Sequence, residues 1–517
     1  MPNNPKILWA DDEIDLLKPH IIFLRSRGYE VDTACSGADA LDMADATPYD
    51  LIILDENMPG ISGLEALAAI KQRMPLLPVI MITKSEEENI MDQALGSKIA
   101  DYLIKPVNPN QILLAIKKQL DAGRLVNEQT SVDYRREFAA LSDDIGRADT
   151  IDDWYALYRR LMFWDMQLAS ANTGMDEMLA LQRRDADTEF GKWMRRRYED
   201  WAADPDASGR PLMSPELIPR RVMPLLDDGR KVFMILIDNF RLDQWLSVKP
   251  LLADIFSFDE QLYTSILPTA TQYARNAIFS GLMPLKIAEM FPDLWVDEES
   301  EEGKNLNESP LLQTLFERFR RPTRISYNKV NDSAGAERLL RDFPRLEDND
   351  LNVIVVNFID MLSHARTESK MIRELAKTDA AYRSITESWF RHSPVLELFR
   401  RIAERGHTVV LTTDHGTVRV EQPVKVVGDR NTNTNLRYKL GRNLAYDQKR
   451  VYEIRNPKRA GLPAPNISTA YIFALGHDFL AYPNNYNYYV QYYTGTFQHG
   501  GISMEEMLVP LITMTPK

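Results

Sequence analysis

Four short runs of aliphatic residues each close on an aspartate: LIILD at Asp55, VFMILID at Asp238, NVIVVNFID at Asp360 and TVVLTTD at Asp414. Runs apolar at nearly every position suit strands buried on both faces, the condition of a parallel sheet covered by helices. In such sheets the carboxyl ends of the strands share an edge, and doubly wound folds place their sites there. The chain is therefore constrained to α/β architecture wherever these runs lie, with acids gathered at the sheet edges. At 517 residues it is too long for one core, so two to four domains are expected. With 44% hydrophobic and 26% charged residues, it has the composition of globular domains.

Three textures follow one another. From Lys6 to about Leu120, the runs KILWA, DLIILD, PVIMIT and DYLIKP alternate with helix-like LLKPHIIFLRSRG, LEALAAIKQRM and ILLAIKKQL. Between Pro109 and Pro205 there is no proline, although the chain carries 29, and IDDWYALYRRLMFWDMQLA is typical of consecutive helices there. The breaker-rich DPDASGRPLMSP (204–215) then leads into β-type runs again, a larger α/β region of about 300 residues. The expected division is 1–122, 123–205 and 206–517: a flavodoxin-like α/β domain, an all-α linker domain and a larger α/β domain.

The net charge of −13 and pI near 5.2 argue against coating nucleic acid through bulk charge, though not against a local basic cleft. One cysteine, Cys35, excludes an internal disulfide and fits a reducing compartment. The N-terminal MPNNPKILWADDE meets acids too early for a secretory signal, and no apolar run approaches the roughly 20 residues of a membrane helix. The expectation is a cytoplasmic protein without membrane insertion. No helix-turn-helix or zinc-finger pattern stands downstream, so a DNA-reading output lacks support.

In the first region, Asp11 and Asp12 follow the first strand, Asp55 ends the third, Thr83 ends the fourth and Lys105 follows the fifth. Phosphorylating a carboxylate requires Mg²⁺, which binds through one or two carboxylates and waters. Asp12 with Asp11, Asp55 and the carbonyl of Asn57 would supply oxygens. Asp55 would be the nucleophile, Lys105 the counter-charge to the phosphoryl oxygens and Thr83 a hydrogen-bond donor to one of them. This ordered set resembles a response-regulator receiver domain over about 120 residues. The resemblance implies a cognate sensor histidine kinase, an acyl phosphate on Asp55 and a switch aromatic, here Tyr102. It also implies a phosphorylation-dependent homodimer formed across the last helices and strands.

In the third region, histidines cluster with the strand-end acids, although the chain has only seven. His364 follows Asp360 by four residues, His415 adjoins Asp414, and His499 lies in QHGGIS. Imidazole and carboxylate together suit zinc. The set, with Asp238, is too large for one tetrahedral ion and suits two, an arrangement that stabilises the entering and departing oxygens of a phosphoryl displacement. Thr271, in LPTATQYARNAIFSGLMP, would sit between a strand and a helix beginning near Tyr273 and serve as the nucleophile. Taken singly, Asp238 and Thr271 also suit helix caps and His499 an ordinary loop, while His20, His392 and His407 suit structural roles.

Residues from about 222 to 517 resemble the PglZ branch of the alkaline phosphatase superfamily, most specifically in HGGISMEEMLVP. The resemblance implies two Zn²⁺, one taking Asp238, Thr271, Asp414 and His415, the other Asp360, His364 and His499. Ser503 and Glu506 also have the spacing of a capping box. The whole layout is similar to PorX-type response regulators. That similarity implies phosphodiester cleavage of cyclic or linear oligonucleotides and a role in type IX secretion. The residues alone support phosphoester hydrolysis. A monoesterase, or a non-catalytic adaptor recruiting a transcription-machinery or secretion-system partner, remains the alternative. Arg275, one turn beyond Thr271, is the nearest candidate for a phosphate-binding arginine. The locally basic 424–450 segment would either contact a nucleotide or form a solvated loop.

Overall fold

The computed structural model describes residues 4–74, 77–84, 99–171, 175–298, 303, 305–368, 370–428 and 432–517. Two compact units divide the chain, the first built on Met1–Tyr134 and the second on Arg135–Ser170 and Gly174–Lys517. Among the described residues no helix is long and apolar enough to cross a membrane.

The first unit holds β1 (Lys6–Ala10), β2 (Glu30–Ala34), β3 (Leu51–Asp55), β4 (Val79–Thr83) and β5 (Asp101–Ile104). They pair in parallel in the order β2-β1-β3-β4-β5. Alternate side chains serve opposite faces. Ile7, Trp9, Ile53 and Ile82 pack with Leu24, Ile112 and Ile116, while Leu8, Ala10, Leu54 and Met81 pack with Ala66, Leu67 and Ile70. The helix Gly63–Arg73 starts in a reciprocal capping box between Ser62 and Glu65. Its first residue must be glycine, because a Cβ at Gly63 would overlap the carbonyl of Asp55. That close approach seats a helix start directly against the strand end carrying the candidate nucleophile.

Three long helices follow, Pro109–Arg147, Ile151–Ala171 and Asp176–Ala203. In the second unit, Trp193 packs on Phe190 and Trp201, and Trp154 on Phe190, with ring centroids 5.1–6.1 Å apart. The Tyr198 hydroxyl accepts the backbone N–H of Leu267 at 2.7 Å, tying this helix to the segment just before Thr271.

The core of the second unit is a six-stranded sheet in the order β7-β18-β10-β6-β9-β8. These are β6 (Val232–Ile237), β7 (Phe256–Thr264), β8 (Ile325–Val330), β9 (Leu351–Val356), β10 (Thr408–Thr412) and β18 (Leu508–Pro516). Strands β10, β6, β9 and β8 run parallel, and β18 is antiparallel to both its neighbours. The sheet is thus mixed. Its parallel part sets β10, β6 and β9 side by side, each buried at every position. Strands β6 and β10 lead directly to Asp238 and Asp414, whereas β9 ends at Val356, so Asp360 is carried by the helix that follows (Phe358–Glu368) and not by the strand end as expected. Smaller sheets are built from β11 (Val418–Arg419) with β17 (Phe497–Gln498), and from β12 (Gln422–Lys425) with β16 (Asp478–Ala481). A third sets β15 (Ala470–Ala474) between β13 (Tyr438–Gly441) and β14 (Val451–Ile454).

Candidate functional site

At the carboxyl edge of the first sheet, Asp11, Asp12 and Asp55 offer carboxylate oxygens within 4.8 Å of one another, a set that fits Mg²⁺. Lys105 Nζ bridges Asp11 and Asp55 at 2.9 Å each. Burial, aided by Asp11 and Asp12, holds the Asp55 carboxyl above its ordinary range, while Lys105 works against that rise. Asn57 is exposed two residues beyond Asp55, and Tyr102 is half-buried on β5. The Thr83 hydroxyl donates to the Glu56 carboxylate, so it is engaged beside Asp55 rather than offered to it. Residues 85–98, which contain part of the surface on which dimerisation is expected, lie outside the described residues, as do the side chains of 121–129 where the expected all-α linker begins.

The second unit gathers two sets of ligating side chains. Asp238 stands just past β6 and Asp414-His415 just past β10, and their ligand atoms lie within 4.8 Å of one another. Asp360 and His364, one turn apart on the helix Phe358–Glu368 after β9, meet His499 just past β17 within the same span. The His415 and His499 rings stack at 4.3 Å, so the sets are contiguous. Thr271 Oγ1 lies 3.1 Å from His415 Nε2 and 3.5 Å from Asp238 Oδ1. Thr271 is the first residue of the helix Thr271–Ser280; Ala270 occupies the cap position, so the threonine hydroxyl is not used as a cap.

The tautomers are set from outside. His415 Nδ1 bonds the Gly416 carbonyl and His499 Nδ1 the Thr269 carbonyl, each at 3.1 Å, which leaves both Nε2 atoms turned inward. Burial, reinforced by His499, pushes His415 down to about 3, so its imidazole is neutral and ligand-ready. The first set is deeply buried, whereas His364 is 65% exposed at its side chain, so the second set faces solvent. Two three-residue sets of mixed oxygen and nitrogen donors with preset imidazoles fit a pair of zinc-type ions.

Several residues around the site take roles that the sequence does not announce. Arg275, the candidate phosphate ligand, instead sits behind the carboxylates. It pairs with Asp238, with Asp414 at 3.0 Å and with Glu308 at 3.4 Å. Burial by itself would lower its pKa, and these three acids hold it well above the ordinary value. Asn239, at φ 61°, donates Nδ2 to Asp360 and Ser363 at 3.3 and 3.4 Å, bridging the two strand ends. Its left-handed backbone is tolerated best by Asn among side-chain residues, which is the one local clue to it. Gly416 is obligatory, since a Cβ there would overlap the Glu505 carbonyl.

The expected capping box is half made. Ser503 Oγ accepts the Glu506 N–H at 3.2 Å, but the Glu506 carboxylate turns to the Gly501 N–H at 2.8 Å and to Arg437. Part of the basic segment is likewise engaged internally, while Lys425, Arg442 and Lys449 are exposed. Arg437 is fully buried against Glu506, Lys439 is buried beneath Tyr482, and Arg450 is paired with Asp478. Residues 429–431 of that segment lie outside the described residues. Beside the Thr271 helix, Tyr273 meets the rings of Trp295, Tyr438 and Tyr471 at 5.8–6.3 Å, next to a cavity of about 150 Å³. His20 bonds the Val107 carbonyl, His392 the Ser388 carbonyl, and His407 stacks on Phe233.

Residues 217–514 match the BREX system PglZ alkaline phosphatase-like domain, residues 7–117 the response regulator receiver domain, and residues 124–202 the PorX response regulator linker domain. Among curated proteins, the alginate biosynthesis regulator AlgB of Pseudomonas syringae is 34% identical over 123 residues, 24% of this chain and 28% of AlgB. PhoP of Bacillus subtilis, the alkaline phosphatase synthesis regulator, is 34% identical over 116 residues, 22% of this chain and 48% of PhoP. KdpE of Mycobacterium tuberculosis is 30% identical over 181 residues, 34% of this chain and 73% of KdpE. The chain thus spans half or less of the length of the first two of these relatives. Among solved structures, chemotaxis protein CheY4 of Vibrio cholerae shares 30% identity, covering 22% of this chain and 98% of CheY4, with a TM-score of 0.22. TrrA of Thermotoga maritima shares 33%, covering 22% of this chain and 99% of TrrA, at 0.21.

Proposed function

Because the chain belongs to the PglZ alkaline phosphatase-like family, with a receiver and a PorX linker ahead of it, we propose that it is a response regulator whose output is a two-zinc phosphodiesterase. Its substrates are cyclic or linear oligonucleotides, its control is phosphorylation of Asp55 by a sensor histidine kinase, and its setting is type IX secretion, with functional boundaries at 1–122, 123–205 and 206–517. The observation that carries the reading is the Thr271 hydroxyl standing 3.1 Å from His415, beside two contiguous ligand sets.

Asp238, Asp414, His415 and Thr271 would hold one zinc ion, and Asp360, His364 and His499 the other. When bound, such a pair neutralises charge on the entering and leaving oxygens of an in-line displacement. The chain's own residues do the rest. Thr271 Oγ gives up its proton to water and forms a bond to phosphorus as the ester P–O bond breaks, and the departing alkoxide takes a proton from water. A water molecule then bonds to phosphorus as the Oγ–P bond breaks, and its proton restores the Thr271 hydroxyl. The positive end of the Thr271–Ser280 helix favours the phosphate anion. The solvent-facing His364 side is the route by which a bulky ester enters.

One feature favours a diester. The Arg275 guanidinium is committed to Asp238, Asp414 and Glu308, so it is not directed at the second charge of a monoester.

The test is turnover of bis-p-nitrophenyl phosphate, p-nitrophenyl phosphate and short oligonucleotides with and without chelator. Chelator-sensitive cleavage of the diesters, with little on the monoester, is expected. Thr271→Val should abolish turnover while zinc stays bound. Full activity of that variant, or a preference for the monoester, refutes the reading.

A further inference from the structure

One histidine lies outside both ligand sets and outside the packing roles just described: His477, in the turn between β15 and β16. It meets Asp187, from the helix Asp176–Ala203, and Glu505, from the short helix Met504–Met507. We propose that Asp187, His477 and Glu505 hold a further transition-metal dication, separate from the Thr271 site, which staples the linker helix to the catalytic fold.

Each of the three side chains is held at its outer atom and free at its inner one. Asp187 Oδ1 accepts the Met504 N–H at 2.9 Å, Glu505 Oε1 accepts from Arg183 at 2.7 Å, and His477 Nδ1 bonds the Arg419 carbonyl at 2.9 Å. The inner atoms, Asp187 Oδ2, Glu505 Oε2 and His477 Nε2, are buried without a hydrogen-bond partner. Asp187 and Glu505 are 1% and 2% exposed, and one ligand atom from each of the three residues lies within 4.8 Å of those of the other two. Buried polar atoms are seldom left unsatisfied, and three orphans converging on one point are accounted for by a shared partner. Outer atoms fixed by backbone and guanidinium groups are the supporting shell that metal ligands have. One imidazole nitrogen and two carboxylate oxygens are a zinc- or manganese-type donor set.

The alternative occupant of the space is a bare ion pair, with His477 Nε2 3.3 Å from Asp187 Oδ2. That pairing satisfies two of the three orphans and leaves the Glu505 oxygen without a partner. His477 also lines a cleft of about 400 Å³, bordered by Arg184, Lys192 and Arg450, that gives an ion and its waters a way in. The site touches the catalytic edge through one residue: the Glu505 carbonyl is the atom that excludes a side chain at Gly416, next to His415.

The experiment counts zinc on the full chain after dialysis against excess Mg²⁺, which keeps the receiver triad in magnesium. Wild-type protein should retain one zinc per chain more than Asp187→Asn or His477→Gln, with circular dichroism unchanged. A second variant keeps the count decisive if those fold poorly. With Asp238→Asn, Asp360→Asn and His364→Gln together breaking both ligand sets at the Thr271 centre, one zinc per chain should remain. Equal zinc in wild type and His477→Gln, or none in the triple variant, overturns the proposal. Neither arm reads turnover, so failure here and failure of the phosphodiesterase reading are separate results.

Discussion

Replacing Glu506 with Gln should cost about 3–5 kcal/mol of stability, the range seen when one partner of a buried ion pair is removed. Arg437 and Glu506 are both fully buried. Two charge-assisted bonds join them, Nε to Oε1 at 3.1 Å and Nη2 to Oε2 at 2.5 Å. Glutamine retains the shape and one acceptor, but it leaves the guanidinium in the interior with no opposing charge. The same carboxylate receives the Gly501 N–H at 2.8 Å and the Ser503 hydroxyl at 2.7 Å. Those bonds fix the turn that carries His499, so phosphodiesterase activity should fall together with stability. The loss is a large share of the roughly 5–15 kcal/mol by which domains are stable. The assay is urea denaturation of wild type, Glu506→Gln, Arg437→Met and the double variant Arg437→Met/Glu506→Leu. In that cycle the double variant should be less destabilised than the sum of the singles, because no unpaired charge remains. A loss below about 1 kcal/mol for Glu506→Gln, or strict additivity in the cycle, refutes the argument.

Burial holds Lys439 down to about 7, with its amine 3.0 Å from the Asn433 carbonyl. Between that value and the ordinary 10.5 the unfolded chain binds the extra proton, so stability should rise with pH across this window. Lys439→Met should lack that rise, and parallel urea midpoints for variant and wild type through the window would contradict it. His364→Gln, on the solvent-facing set, should lower zinc content and diester turnover with little change in folding; unchanged turnover removes His364 from the site. Asp55→Asn should abolish any shift toward dimer on adding beryllofluoride, read by sizing chromatography, and a shift that persists would separate dimerisation from Asp55. Gly416→Ala should destabilise the chain and depress turnover through the clash with the Glu505 carbonyl, and a fully active, stable variant would show that the turn relaxes freely.

Much of this protein is legible along the chain because the relevant physics is local. Runs such as VFMILID and NVIVVNFID have the pattern of doubly buried strands. The proline-free stretch after Pro109 reads as consecutive helices, and its described residues form helices over 109–147, 151–171 and 176–203. The receiver and the PglZ region declare themselves through short strings at strand ends, because catalytic acids in α/β folds occupy the first residues after a strand. Asp238 and Asp414 could be named as candidates on that ground, and Asp360 and His364 by their spacing of one helical turn.

What the tertiary structure alone decides is which atoms face one another. The antiparallel β18 inside an otherwise parallel sheet places the chain terminus beside β10, and nothing in LVPLITMTP announces that direction. Arg275 could be read as a phosphate ligand from its position beyond Thr271, yet the packing of Glu308 behind it turns the guanidinium onto the strand-end acids. Glu506 has the spacing of a capping box, and a buried arginine 69 residues upstream draws its carboxylate away. Asp187 lies some hundreds of residues ahead of His477 and Glu505 and shares no motif with them, so their convergence exists only once the linker helix is docked. Periodicity and capping are encoded within a few residues of themselves. Charge partners across a core depend on how distant segments cross, and no window of sequence contains that information.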